Sequence, residues 1–317
     1  MKLQTQIPLK KEVRNPIDYS SKILLLGSCF SENIGDKLAF YKFKSTQNPF
    51  GILFQPKAIE NLITNAINEK VYSTKDLVYQ NERWHCLDAH SSLSSADKNE
   101  VLNNLNSAIS STLKKLTEAS HIIITLGTSW VYRFIETDAI VANCHKIPQK
   151  KFLKELLTVN EISESLEAII ELIKTINKEV TILFTVSPVR HLKDGFVENM
   201  RSKSHLISGI HQLLDCARRD ISYFYSYEIM MDELRDYRFY KEDMIHPNKT
   251  AINCIWEKFM TVWISEDSKA LMQEIETIQK GILHKPFHKN SEEHQKFLEN
   301  LNHKIDQIKT KIPSINF

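Results

Sequence analysis

The chain has 317 residues, 42% of them apolar, with 41 Lys and Arg against 39 Asp and Glu, the make-up of an ordinary globular protein and too balanced to argue for a nucleic-acid partner. No window carries about 18 uninterrupted apolar residues, and the N-terminus "MKLQTQIPLKKEV" lacks the apolar core of a signal peptide, so no membrane span or export is expected. Five cysteines (Cys29, Cys86, Cys144, Cys216, Cys254) are scattered, odd in number and free of any C-x-x-C pair, which points to reduced thiols in the cytoplasm and to no metal.

"KILLLG" at 22–27 opens the pattern as a continuous apolar run, the mark of a strand buried on both faces. A helix is predicted at 31–40 and another at 55–69, where Ile59, Leu62, Ile63 and Ile67 share a face. Residues 71–94 read as short strands and loops. A long helix follows at 97–119 on the stripe Val101, Leu102, Leu105, Ile109, Leu113 and Leu116. "HIIITLG" at 121–127 is the second buried strand, and 130–143 again reads as short strands and loops. A helix at 160–178, a strand at 180–188, a helix at 203–218 and a strand at 220–228 complete the alternation. Strand alternating with helix at this spacing predicts a parallel sheet covered on both faces. The insertions at 71–94 and 130–143 either decorate the C-terminal edge of that sheet, where ligands bind, or are surface hairpins.

From 265 the pattern changes. Ser265 is placed to cap a helix carrying Leu271, Ile275 and Ile278, which Gly281 is expected to end. Ser291 is placed to cap a last helix with Glu292 and Glu293 in its first turn and a stripe from Phe297 through Leu301, Ile305 and Ile308 to Ile312. We therefore divide the chain into a domain over 1–264 and a helical extension over 265–317. The extension packs on its own domain or joins two copies as a homodimer.

Chemistry concentrates at two places. Glycine is scarce, 7 in all, yet Gly27 stands between the first strand and the first helix, followed by Ser28 and Cys29. A sharp strand-to-helix turn raises such side chains above the sheet edge and aims the free N–H groups of the helix at them. Near the other end, "KEDMIHPN" sets Asp243 three residues before His246, close enough for the carboxylate to hold the Nδ1–H of the imidazole. Asn248 follows as a helix cap. Together they form a nucleophile, base and orienting acid from distant parts of the chain.

The blocks "GSCFSENIGDKL", "NPFGILFQP", "TLGTSWVY", "NCHKIP", "TVSPVRHLKDGFVENMRSKSHL" and "SYEIMMDELRDYRFYKEDMIHPN" resemble the GSCFA family over roughly residues 20–260, and that family resembles a branch of the SGNH/GDSL hydrolases. The resemblance implies a three-layer α/β/α fold with a central, mostly parallel five-stranded sheet, SGNH- or flavodoxin-like. It implies an esterase, deacylase or O-acyltransferase acting on a small-molecule or carbohydrate ester without a cofactor. The alternative is a degenerate member of that fold that binds a glycan or metabolite.

Superimposing the superfamily's G-D-S-L block on Gly27-Ser28-Cys29-Phe30 puts Cys29 at the nucleophile position. A turn shifted by one residue would put Ser28 there instead. A thiol beside an imidazolium and a helix N-terminus ionises readily, so such a substitution is chemically workable. The resemblance also implies oxyanion or substrate contacts from the Gly51 backbone, the Asn48 side chain, Ser129 in place of the usual asparagine, and Asn143. Arg190 is a candidate clamp for a carboxylate or phosphate, and Lys203 a point charge for the same purpose.

Overall fold

The apolar runs become the strands of one sheet. The computed structural model describes residues 5–215, 221–288 and 290–317. Cys216, the last residues of the helix expected at 203–218 and the first of the strand expected at 220–228 lie outside them. In chain order the elements are β1 (Lys22–Gly27), α1 (Cys29–Phe40), β2 (Lys44–Gln47), α2 (Pro56–Ile67), β3 (Leu77–Gln80), β4 (Arg83–Cys86), α3 (Lys98–Glu118) and β5 (His121–Leu126). They continue with β6 (Trp130–Phe134), β7 (Ala139–Val141), β8 (Phe152–Leu156), α4 (Val159–Ile176), β9 (Thr181–Val186), α5 (Phe196–Leu214), β10 (Ile221–Phe224) and the single turn α6 (Ser226–Glu228). The chain closes with α7 (Lys249–Trp263), α8 (Glu266–Leu283) and α9 (Glu292–Lys311).

The main sheet runs β10-β9-β5-β1-β2 and every pairing is parallel. This is the three-layer α/β/α architecture with a five-stranded sheet. The pleat divides the core in two. Leu24, Leu26, Ile122, Ile124, Ile182 and Phe184 face the layer of α2 to α5. Ile23, Leu25, Ile123 and Leu183 face α1, α7 and the C-terminal helices. The fifth strand, β2, escaped the search for apolar runs because it is a polar edge strand, "KSTQ", with no buried residue. α5 starts seven residues before the pattern indicated, because Phe196, Val197 and Met200 in its first turns are exposed and carry no apolar stripe.

Parallel strands put all their C-terminal ends on one edge. The chain leaves β1 first toward β2 and then crosses back to β5, so the order reverses between β1 and β5, where such sheets bind ligands. Register places Gly27 beside Thr125, and Thr125 beside Thr185, at that edge. Both insertions are ordered sheets. β3 and β4 form a hairpin, and β6 joins β7 and β8 in an antiparallel sheet immediately after the end of β5.

Ser265 and Ser291 cap α8 and α9 as expected, accepting from the Ser268 and His294 amides. Gly281 does not end α8, which runs on to Leu283. Its missing Cβ instead admits Leu301 of α9, whose Cδ1 would lie 2.7 Å from a side chain there. Leu301 and Ile308 are buried in the same cluster as Trp256 and Phe259 of α7. Deleting 291–317 is expected to expose Ile275 and Ile278 and cost about 4.5–9 kcal/mol, at about 1.5–3 for each of Leu301, Ile308 and Ile315. Thermal denaturation with sedimentation checks it, and an unchanged melting temperature would contradict the packing. A homodimer through these helices is left with their outer surface, where Leu283, Phe287 and Leu298 are exposed. No helix among the described residues is long and apolar enough to cross a membrane.

Candidate active site

Gly27 ends β1 with φ at +130°, a conformation that only glycine adopts without strain. Its amide donates to Asn48 Oδ1 at 2.9 Å, and the Ser28 amide donates to the Thr125 carbonyl at 3.0 Å. The chain thus turns sharply over the end of β5. Ser28 is the N-cap of α1: it is buried, and its hydroxyl accepts the Phe30 amide. Cys29 is the first helical residue and is partly exposed. Of the two adjacent side chains the thiol is the accessible one. The Cys29 N–H, at the first helical position, has no intrahelical carbonyl to bond and lies against the residue's own sulfur.

Lys203 of α5 is buried behind this turn. Its Nζ donates to the carbonyls of Gly127 at 2.6 Å and Ser187 at 2.7 Å, the residues just past β5 and β9. Burial pushes its pKa down to about 7, and the nearby Cys29 thiolate would raise it. Both carbonyls are served whether the amine carries two protons or three. The sequence marked Lys203 as a point charge for a substrate carboxylate or phosphate; it is instead enclosed, its amine spent on two backbone carbonyls.

Asp243 and His246 meet as expected. Asp243 Oδ2 lies 2.8 Å from His246 Nδ1, and Oδ1 accepts the amides of Ile245 and His246 at 2.8 and 2.9 Å. These bonds, the His246 amide first, hold the Asp243 pKa down to about 2. An ionised carboxylate only accepts, so Nδ1 carries a proton, and in the neutral tautomer this fixes, Nε2 is the nitrogen with the lone pair. Met244 between them has φ at +56°, unusual for a non-glycine residue and a mark of local strain. Arg190 holds this loop against the end of β9. Its amide donates to the Ile245 carbonyl at 3.2 Å, and its guanidinium lies 4.3 Å from the centre of the Tyr240 ring. Among the described residues Arg190 faces aromatic rings rather than a carboxylate, so its charge is engaged within the loop.

Electrostatics joins the two halves. The charges of Lys203 and Lys241 both reach Cys29, and Lys241 lies on the His246 loop, its amide donating to the His246 carbonyl. His191 is drawn down to about 3, first by burial and then by Lys203 and His246. Its Nε2 would lie 3.0 Å from a Cβ on Gly127. Among the described residues no hydrogen bond joins Cys29 or Ser28 to His246.

Four expectations change in detail. The thiol is not primed: burial, and then the Glu32 carboxylate, push the Cys29 pKa up, and Lys203 and Lys241 offset only part of this. The Gly51 amide is spent on the Asn48 carbonyl at 2.8 Å, closing a turn in which Gly51 takes φ at +76°. Ser129 is fully buried. Its hydroxyl donates to the Ser202 carbonyl at 3.1 Å and its amide to the Ser202 hydroxyl at 2.8 Å. Asn48 braces Gly27 rather than standing free. Asn143 lines a cavity next to His191, with Oδ1 accepting the His145 amide at 2.9 Å.

Replacing Glu32 by glutamine removes a negative charge that opposes ionisation of Cys29. The thiolate fraction at neutral pH should rise and iodoacetamide labelling of Cys29 should accelerate severalfold, with the wild-type rate climbing only as pH moves above neutral. Peptide mapping of the label checks this. Equal rates for the two proteins would mean that Glu32 does not act on the thiol.

Comparison with known proteins adds a family. No curated protein matches the sequence. Among solved structures, a carbohydrate esterase family 3 protein from Talaromyces cellulolyticus is 9% identical, with 81% of this chain and 99% of that one covered at a TM-score of 0.36. An acetyl esterase mutant with an acetate ion is 11% identical, with 81% and 99% covered at 0.36. An acetyl xylan esterase from the rumen bacterium Butyrivibrio proteoclasticus is 12% identical, with 83% and 67% covered at 0.32. No residue role is carried over from likenesses this distant. Residues 275–317 match the model described as GSCFA domain protein, C-terminal domain. Residues 22–259, most of the chain and all of the sheet with its connecting turns, match the GSCFA family model, and the chain belongs to the GSCFA family.

Proposed function

We propose that the protein is an acyl-transfer enzyme, an esterase or O-acyltransferase, with Cys29 as nucleophile, His246 as base and Asp243 as the residue that orients it. The observation that carries this reading is the Asp243–His246 pair, Oδ2 2.8 Å from Nδ1, on the sheet edge where the β1–α1 turn presents a thiol. Nucleophile and base are often loosely placed until substrate binds. In the reaction His246 Nε2 takes the Cys29 proton as sulfur attacks the acyl carbonyl. The carbonyl electron pair moves to oxygen, facing the Cys29 N–H and the N-terminus of α1. Collapse expels the alkoxide, which takes the proton from His246. Water or a second alcohol, deprotonated by the same nitrogen, then attacks the thioester; the C–S bond breaks, the Cys29 sulfur takes the proton back from His246, and the acid or a new ester is released. Reduced cytoplasmic thiols suit a cysteine in this role.

Turnover of p-nitrophenyl acetate by the purified chain tests the reading; the outcome that would sink it is release of p-nitrophenol no faster than in buffer. A second reading has a specific observation in its favour. The Gly51 amide and the Ser129 hydroxyl are already occupied and the thiol is raised, as in a protein that kept the fold to bind a glycan or metabolite without chemistry.

A further inference from the structure

Beyond His191 the sheet edge opens into a cavity of about 500 Å³, walled by Phe54, Trp130, Tyr132 and Phe152 and by the loop around residues 142–147. Its volume falls within the range of about 300–1,000 Å³ typical of small-molecule sites. The fold leaves several polar atoms unserved here. Gln55 is 2% exposed, and neither Oε1 nor Nε2 has a partner. It stands at the N-cap of α2 without capping it. His145 is buried with Nδ1 unpartnered, and His191 Nε2 is a third orphan. All three line the cavity. An unmet buried polar group costs about 1–3 kcal/mol, so three side chains in one cavity are a deficit that a bound molecule would remove.

The orphans specify what that molecule must offer. His145 Nε2 lies 2.7 Å from the Cys86 carbonyl, which only accepts, so Nε2 carries the proton and Nδ1 is an acceptor. Gln55 Oε1 is another acceptor and Nε2 a donor. Gln55 and His145 therefore require a ligand that donates at two points and accepts at a third, while His191 Nε2 donates or accepts according to its tautomer. A carboxylate or phosphate only accepts, and would leave Gln55 Oε1 and His145 Nδ1 unmet. Nor do the histidines provide charge to hold an anion, since burial first of all keeps His145 near 4 and His191 near 3. Hydroxyls both donate and accept, and an apolar ring face suits the aromatic walls. Charge along the lining comes from Lys146, Lys193 and Asp194; the last is paired with Lys154, whose ammonium also lies 4.3 Å from the centre of the Trp130 ring and covers one of its faces.

We propose that this cavity binds a neutral polyhydroxylated ring, a sugar unit, with Gln55 and His145 reading its hydroxyls and Trp130 and Tyr132 covering its faces. Its role as the alcohol part of the ester rests on the acyl-transfer reading above; the site itself does not.

Binding can be measured without turnover. Methyl β-glucoside and methyl β-xyloside are titrated into the full chain, with glucuronate and glucose 6-phosphate as charged counterparts, by saturation-transfer NMR and tryptophan fluorescence. At least one methyl glycoside should saturate, the charged sugars should bind at least about tenfold more weakly, and Gln55→Leu should weaken glycoside binding about tenfold, the equivalent of one hydrogen bond. Gln55→Leu removes two unmet groups and should fold; Trp130→Ala, with a similar expected loss, carries the test if it does not. The site is overturned if neither glycoside saturates, if the charged sugars bind as well, or if both variants bind like the parent. Glycoside binding without p-nitrophenyl acetate turnover would sink the acyl-transfer reading and leave the site standing. Turnover without binding would do the reverse.

Discussion

Replacing His246 by alanine is expected to reduce acyl transfer by about 10³-fold or more while the melting temperature stays within about a degree or two. The chemical reason is the state of Cys29. Its pKa is raised by burial and by Glu32, so the resting group is a thiol and the attack needs a base. His246 is that base in the proposed reaction, with Nδ1 held by Asp243 and Nε2 free. The fold should survive because both side chains are substantially exposed, 42% and 43%. Asp243→Asn should cost less, because the amide can still hold the ring, though in the wrong tautomer. Cys29→Ala should be inactive. Ser28→Ala should lose about 1 kcal/mol of helix capping and keep activity. Initial rates on p-nitrophenyl acetate, with circular dichroism of each variant, decide the matter. An active His246→Ala would remove the triad. An active Cys29→Ala beside a dead Ser28→Ala would move the nucleophile to Ser28.

Gly27→Ala is expected to be the most damaging single substitution for stability, at about 3–5 kcal/mol or failure to fold. Two independent effects add. The backbone φ of +130° is closed to a side chain, and a Cβ would stand 2.1 Å from the Thr125 carbonyl oxygen. That oxygen accepts the Ser28 amide, so it cannot retreat without breaking the turn. The neighbouring strand cannot retreat either, since Thr125 is paired with Thr185 on its other side. Thermal or urea denaturation gives the number; a loss below about 1 kcal/mol would mean that the β1–α1 turn adapts.

How far the sequence reached depended on whether the information was local. β1, β5 and β9 were legible because a strand buried on both faces must be apolar throughout, and α3 because its stripe recurs at helical spacing. The Asp243–His246 pair was legible because three residues of chain confine both groups to one turn. The caps Ser265, Ser291 and Asn248 were legible for the same reason. β2 was not, since an edge strand needs no apolar residue, and the family resemblance alone implied a fifth strand.

What the chain decides only by folding is how groups from distant segments interact. Gly51 and Ser129 matched the expected oxyanion positions by order, but hydrogen bonds to Asn48 and Ser202 consume them, and a bond between residues 73 apart has no signature in spacing. The thiol of Cys29 sits at a helix N-terminus that favours ionisation, yet burial and Glu32 outweigh that field. Lys203 reads as a point charge for a substrate anion until α5 is laid across the ends of β5 and β9 and encloses it. Gln55 and His145 fall inside the blocks "NPFGILFQP" and "NCHKIP", but nothing local says what either faces; they become a pair only where the 54–55 segment and the 142–147 loop wall one cavity. Local periodicity and short-range geometry determined the buried strands, most of the helices and the Asp243–His246 contact. Burial determined the charge states and the unmet hydrogen bonds, because desolvation is a property of the assembled interior and not of any stretch of sequence.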